Sequence, residues 1–449
     1  MKKYILISLL LFSSSFLHSA VIDLGSEYRL RSVTLANPTY TSETPVGTGK
    51  TIDQHYFSHR ARVYFKGKFD PNIEIGATLQ ALSVAGSTAP FINRYPKEDF
   101  TPFIENATIQ ANEIYDFPIS VTLGRQPYQW GTGLLIADDG LGFDSIRLDA
   151  GPFWNISTHF LTAKVKEHLT SGDQDLHLAG LSYNWGLNKI RAGYIIEIDQ
   201  TGSSYFNLSS TTPVSTEKIS REFIDFQLEG RLEKGAYYNA EYVIQRGYSR
   251  VPGTETKLSG SALTFEGGFD FIHPRYKRMI LAFVFMQGSG DNSSTTNEDE
   301  KFNPSFGHKY DGLERSGRGE LFAGNPYTFF NEDKVIIPIT VGSSVIATRP
   351  YTATYSGIRT FGFKGSVQPW DFFTAGLEYY LYTAMEKSDL GVGAPSLIQK
   401  SIGRELVITG QINYFKYINF SIRWGKFFPS SILNDVGSSR LMLEAQGRF

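Results

Sequence analysis

Residues 56–69 run Tyr-Phe-Ser-His-Arg-Ala-Arg-Val-Tyr-Phe-Lys-Gly-Lys-Phe, and their alternation decides the fold class. The odd positions are Phe57, His59, Ala61, Val63, Phe65, Gly67 and Phe69, nearly all apolar. The even positions include Arg60, Arg62, Lys66 and Lys68, four cations on the opposite face. A period of two with one greasy and one charged side describes a β-strand lying between two different solvents.

The same pattern spreads outward from this stretch. In 72–81, Ile73, Ile75, Ala77, Leu79 and Ala81 oppose Glu74, Thr78 and Gln80. In 223–232, Ile224, Phe226, Leu228 and Leu232 oppose Asp225, Gln227, Glu229 and Arg231. Clear dyads recur at 119–123, 144–150, 188–198, 236–246, 373–382, 405–414 and 418–424, and fainter ones at 27–35, 103–113, 154–166, 175–185, 258–271 and 353–367. Segment 276–288 is apolar on both faces. At the chain end Leu441, Leu443, Ala445, Gly447 and Phe449 share one face, while Arg440, Glu444, Gln446 and Arg448 share the other. These segments predict an all-β, antiparallel up-and-down barrel of about eighteen strands, with sixteen or twenty as alternatives.

The connections carry a second signal. Turn residues such as Asp70-Pro71, Asp116-Phe117-Pro118, Gly186-Leu187, His273-Pro274 and Lys416-Tyr417 mark short links. Between them lie longer links at 36–54, 84–102, 127–142, 167–174, 199–219, 247–257, 289–352, 385–401 and 428–437. Strict alternation of short and long predicts tight periplasmic turns, long outer loops and both termini in the periplasm. The long segment at 289–352 is expected to fold over or into the lumen. Val335–Ile339 within it could form an outer hairpin extension.

Composition agrees. Residues 1–20 have a Lys2-Lys3 start, an apolar core over 4–12 and a small-residue end at Ala20, which predicts a cleaved signal peptide. The remainder, 21–449, then forms a single barrel domain with a formal charge of about −4, no surface for nucleic acid. There is no cysteine, so disulfides and thiolate sites are excluded. Aromatic residues make up 14% of the chain, with 34 Phe and 25 Tyr, as aromatic girdles require.

Eighteen strands enclose more than side chains can fill, which implies an aqueous lumen. A cation at the bilayer midplane costs about 2–4 kcal/mol, so the charged faces must point inward. By parity the lumen then receives Arg29, Arg31, Arg60, Arg62, Lys66, Arg147, Arg191 and Arg423, with Glu74, Glu378 and Glu405. Such charges either set ion selectivity or pair with one another to solvate the wall. The N-terminal cations read as an uncompensated basic stripe, since parity offers Glu74 alone on the next strand, and they predict anion preference. No H-E-x-x-H, G-x-S-x-G or P-loop signature is present, and a channel without cofactor, not an enzyme, is expected. His55 and His59 sit about 13 Å apart on a strand, too far to share a metal. Asp291, Glu298, Asp299 and Glu300 have the oxygens that calcium takes, although a solvated loop face is the plainer reading.

Several short motifs resemble those of the alginate-export family of outer-membrane barrels. Gly124-Arg125-Gln126 with Trp130-Gly131, and Phe143-Asp144-Ser145-Ile146-Arg147-Leu148, are similar to its G-R-Q and F-D-x-x-R-L segments. Gly288-Ser289-Gly290-Asp291 with Phe302-Asn303-Pro304 resembles its G-D…F-x-P element. Gly403-Arg404-Glu405-Leu406 with Phe427-Phe428-Pro429 resembles its closing hairpin. The resemblance implies a monomeric, lipid-embedded eighteen-stranded barrel whose arginine-rich lumen passes an anionic polysaccharide; the channel reading extends this to anionic small solutes and oligosaccharides, with periplasmic accessory proteins as further candidate partners. The resemblance points to Arg125, Arg147 and Glu405 as lumen positions. Arg125 has the parity of the lipid-facing Ile119, Val121 and Leu123, so a lumen place for it requires a bulge at Gly124. A non-selective porin, or a receptor acting through its loops, are the competing expectations.

Overall fold

The computed structural model describes residues 21–36, 54–70, 72–85, 101–138, 140–166, 173–200, 204–205, 214–215, 218–232, 235–251, 254–274, 277–291, 295, 297–308, 318–321, 336–341, 344–350, 355–387, 401–415, 417–430 and 437–449. The proposed signal segment lies outside the described residues. The barrel strands are β1 (Val21–Ala36), β2 (Gln54–Asp70), β3 (Ile73–Ala85), β4 (Phe103–Ala111), β5 (Ile119–Gln126), β6 (Phe143–Phe153), β7 (Ile156–Lys166), β8 (Gln174–Trp185) and β9 (Asn188–Asp199). They continue as β10 (Lys218–Arg231), β11 (Ala236–Val251), β12 (Thr254–His273), β13 (Lys277–Gly288), β14 (Tyr355–Trp370), β15 (Phe373–Lys387), β16 (Ser401–Tyr414), β17 (Ile418–Pro429) and β18 (Ser438–Arg448).

Each strand pairs antiparallel with its sequence neighbours, and β1 closes on β18 from Glu27↔Arg448 to Ala36↔Ser439. Reciprocal backbone bonds of 2.8 Å between Ser26 and Phe449 fasten the seam, so the terminal Phe is built into it. Closure leaves no edge of the barrel sheet unpaired among the described residues, which a bilayer demands because lipid offers no hydrogen bonds. No helix among the described residues is long and apolar enough to cross a membrane; the crossing elements are strands.

The period of two becomes an outward apolar face. Phe226, Tyr242, Leu281, Phe363 and Leu377 are exposed on it, and Phe283 packs edge-on against Phe363 at 5.5 Å. β13 is apolar on both faces because its inward Ala282, Val284 and Met286 are buried rather than wet. Aromatic residues collect at the short-turn end, where Trp370 stacks on Phe372 and Tyr417 on Phe449. Such residues suit the boundary between hydrocarbon and water.

Three local departures follow from pairing. The link expected at 247–257 is no long loop, because β11 and β12 stay paired up to Val251↔Thr254. Ile336–Val341 and Ser344–Pro350 do form a hairpin, but as a separate two-stranded sheet, so the barrel count stays at eighteen. Between β3 and β4 the register shifts after Thr78↔Asn106 to Leu79↔Ile104, which inserts Glu105 as a bulged residue.

Candidate functional site

Opposite residues on antiparallel strands point to the same side, so one residue touching the interior fixes the facing of its row. That interior is occupied by the link between β5 and β6. Trp130 donates its indole N–H to Asp225 Oδ2 at 2.6 Å, and Gln227 donates to the same oxygen at 2.7 Å. Thr132 gives its backbone N–H to Glu241 Oε2 at 3.3 Å and its hydroxyl hydrogen to the same atom. The Trp130 ring lies over Gly180 and Gly193, where an added Cβ would come within 2.4 and 3.0 Å of it. Those two glycines make its slot.

Leu134, Leu135 and Ile136 then pack against Leu161, Leu176, Leu178, Ile195, Phe223 and Val243 of the wall. Burial of each such side chain contributes about 1.5–3 kcal/mol, enough to hold a loop inside a wet barrel. On the other side the loop reaches β3, where Gln80 donates to the Gly140 carbonyl at 3.1 Å.

A second inward segment, 297–308, rests on the first. Ala137 N–H donates to Phe306 O at 2.7 Å, and His308 N–H to Gly133 O at 2.9 Å. Its backbone is also held by the wall. Asn303 N–H donates to Gln245 Oε1 at 2.8 Å, and Ser305 N–H to the Glu197 carboxylate at 3.1 and 3.2 Å. Arg221 completes the clamp, 2.8 Å from Ser305 Oγ and 3.6 Å from Glu197. A third segment, 318–321, is held by β15–β18. Leu321 N–H donates to Glu405 Oε1 at 2.9 Å, Glu320 N–H donates to the same oxygen, and Tyr382 donates to Arg318 O at 2.8 Å. Glu320 pairs with Arg423 and lies 3.1 Å from Arg440 Nη1. Buried backbone N–H groups need acceptors, and these wall carboxylates supply them.

The charges expected in the lumen therefore have two uses. Along β1, β2, β17 and β18 they form a mostly basic wall. Arg60 lies 2.6 Å from Glu27, Arg62 2.8 Å from Glu105, and Arg31 2.5 Å from Glu444. Arg29 is 4.0 Å from the same Glu444, and Lys66 and Lys68 share Glu74 at 2.6 and 2.9 Å. The expectation of a stripe without partners is thus corrected. Glu27 and Glu444 come from the closing seam, and Glu105 enters through the bulge, beyond what parity on the next strand could reveal. Elsewhere Arg147 pairs with Asp149 at 2.8 Å and lies over the Tyr128 ring at 5.8 Å; Arg191 meets Glu229 at 2.7 Å and Gln227 at 3.0 Å. Glu378 accepts from Tyr380 at 2.8 Å and is 3.6 Å from Arg423.

Arg125 is placed differently from the lumen position that the resemblance implied. Gly124 has φ +112° yet pairs with Ser145 in unbroken register, so Arg125 keeps the parity of Leu123. It faces outward and pairs with Asp144 at 2.5 Å. Glu320 was invisible to parity because it lies in a loop with no period. Its signal lies in the structure alone, as a fully buried acid between two wall arginines. Of the acidic loop residues, Glu298 goes to Lys257 at 2.8 Å, Glu300 also meets Thr295 at 2.9 Å and Asp299 the Lys301 N–H at 2.9 Å, while Asp291 stays beside Asp299 and Glu300. Among the described residues no group of three or more His, Asp or Glu side chains is arranged to hold a metal.

A closed eighteen-strand barrel with loops folded into a charged lumen defines an outer-membrane channel of the porin class. The family model described as alginate export matches residues 23–321, and the chain belongs to that family. Among solved structures it is similar to the outer membrane protein OpdK of Pseudomonas aeruginosa, at 8% identity and a TM-score of 0.55 over 95% of this chain and 98% of that one. It is also similar to OpdK with vanillate, at 9% identity and a TM-score of 0.56 over the same shares. OccD3 (OpdP) of the same organism matches at 10% identity and a TM-score of 0.54, over 95% of this chain and 91% of that one. At such identities the likeness speaks for the fold. No curated protein matches the sequence.

Proposed function

We propose that this protein is a monomeric, anion-preferring diffusion channel that admits small anionic solutes and short acidic oligosaccharides. One observation carries the reading. The four adjacent strands β17, β18, β1 and β2 turn Arg423, Arg440, Arg448, Arg29, Arg31, Arg60, Arg62, Lys66 and Lys68 inward, against Asp23, Glu27 and Glu444. Glu74, Glu105, Glu320 and Glu378 from neighbouring segments reduce the excess without removing it. The acids of the far wall, Glu197, Asp225 and Glu241, are engaged with loop donors. A lumen whose uncommitted charge is positive raises the local concentration of anions and lowers their barrier. Arg62, Lys66, Lys68 and Arg423 retain between 22 and 49% side-chain exposure, so they can meet a solute.

The three inward segments limit size. Trp130, Leu135, Ile136, Phe302 and Leu321 fill lumen cross-section that an eighteen-strand barrel would otherwise leave to water. This favours small solutes and short chains over a bulky polymer. Proteoliposome swelling tests the proposal: galacturonate should enter faster than galactose, a neutral sugar of similar size. The close ion pairs favour a second reading, a weakly selective general porin. Equal rates for the two sugars would support that reading and reject the proposal.

A further inference from the structure

The segment 318–321 brings an acidic side chain to the place where a basic wall would receive a solute. Glu320 is fully buried, with its carboxylate against Arg423 and Arg440, and Arg440 Nη1 also donates to the Glu320 carbonyl at 3.3 Å. Two further acids of the described residues border the pair. Glu378 lies 3.6 Å from Arg423 Nη2, and Glu405 is taken up by the Glu320 and Leu321 N–H groups, with the Tyr382 hydroxyl oxygen 3.0 Å from its other oxygen.

Arg423 differs from Arg440 in two ways. Its side chain is 23% exposed where that of Arg440 is 3%. Its Nη2 makes no hydrogen bond among the described residues and has only a longer ion pair, 3.6 Å from Glu378 Oε1. A guanidinium donor engaged only through that longer ion pair keeps the capacity to bond an arriving carboxylate or phosphate oxygen more closely. Planar guanidinium groups match a planar carboxylate, and two of them on adjacent strands can hold one between them.

We propose that Arg423 and Arg440 form a carboxylate-binding site of the permeation path, and that Glu320 occupies it as a tethered competitor. A translocating carboxylate takes the place of the Glu320 side chain on Arg423, while the Glu405 contacts keep the segment attached to the wall. The inference rests on the anionic-solute reading given above. It adds that the chain carries its own stand-in for the solute, so resting affinity stays low and a bound anion is readily released. No bond is made or broken; one carboxylate exchanges for another.

The test is block of chloride current by gluconate in planar bilayers, with sorbitol as the neutral control. Glu320→Gln keeps the side-chain shape and removes the charge, and Glu320→Ala removes the side chain should the amide disturb folding. Either should lower the half-blocking gluconate concentration by about tenfold, because a competing charge in a partly desolvated site is lost. Arg423→Gln in the Glu320→Gln background should return it towards the wild-type value. Sorbitol should act alike on all variants. Gluconate block unchanged in both Glu320 variants, or insensitive to Arg423→Gln, overturns the site even if the wild type prefers anions. A wild type that prefers cations, with block still strengthened by Glu320→Gln, overturns the functional reading and leaves the site standing.

Discussion

Trp130 and Asp225 are 95 residues apart in sequence, and the indole Nε1 of one lies 2.6 Å from the carboxylate of the other. The contact joins an inward loop to the wall of β10, and it explains why a strand in a wet lumen carries a fully buried acid. The loop brings the donor, the wall brings the acceptor, and the two glycines of β8 and β9 leave room for the ring.

Removing that ring should open the channel without unfolding it. Trp130→Ala leaves a cavity that costs about 3–5 kcal/mol of packing, and it takes one donor from Asp225. The strand ladder does not depend on either. Single-channel conductance should rise, while heat-modifiable migration in detergent gels, a marker of the folded barrel, stays as in the wild type. Unchanged conductance would mean that this loop does not narrow the path.

The docking of 297–308 should weaken as pH rises. Burial, the charge of Asp299 and a contact with Glu300 push Asp291, just beyond β13, up to about 6. The docked state thus holds a proton that an open segment would release at the ordinary aspartate value. Stability from this group is full below that value and is lost as pH climbs from there through about 6, with no further loss above. Limited proteolysis of the segment should accelerate between pH 4.5 and 7, and Asp291→Asn should flatten the profile. A segment that opens as pH falls contradicts this sign.

Orientation can be read by labelling, because the chain has no native cysteine. Ser209→Cys, in the long link between β9 and β10, should react with a membrane-impermeant maleimide on intact cells. Asn155→Cys, in the two-residue turn between β6 and β7, should react only after the outer membrane is permeabilised. The reverse pattern would invert the topology.

The barrel was legible because lipid and water impose opposite demands on alternate residues, so Tyr56–Phe69 alone fixes a strand with two solvents. Most inward charges were legible for the same reason. Their partners were not. Glu105 reaches the lumen face through a register shift, and Arg125 stays outward because its strand has none, differences of one residue that no short motif encodes. The loop anchors were hidden more deeply. Asp225, Glu241 and Glu405 look like any wet wall acid until the loop donors that they accept from are placed in space.

The central claim is that the lumen prefers anions because of its basic wall, and reversal potential in a tenfold KCl gradient across a planar bilayer tests it most directly. The wild type should reverse on the chloride side of zero, and less so at high salt as the wall charges are screened. Replacing both Arg60 and Arg62 with Gln should move the reversal towards potassium, since Glu27 and Glu105 would lose their nearest cations. A wild-type reversal on the potassium side, or a double variant indistinguishable from it, would contradict the account and leave the wall charges a purely structural role.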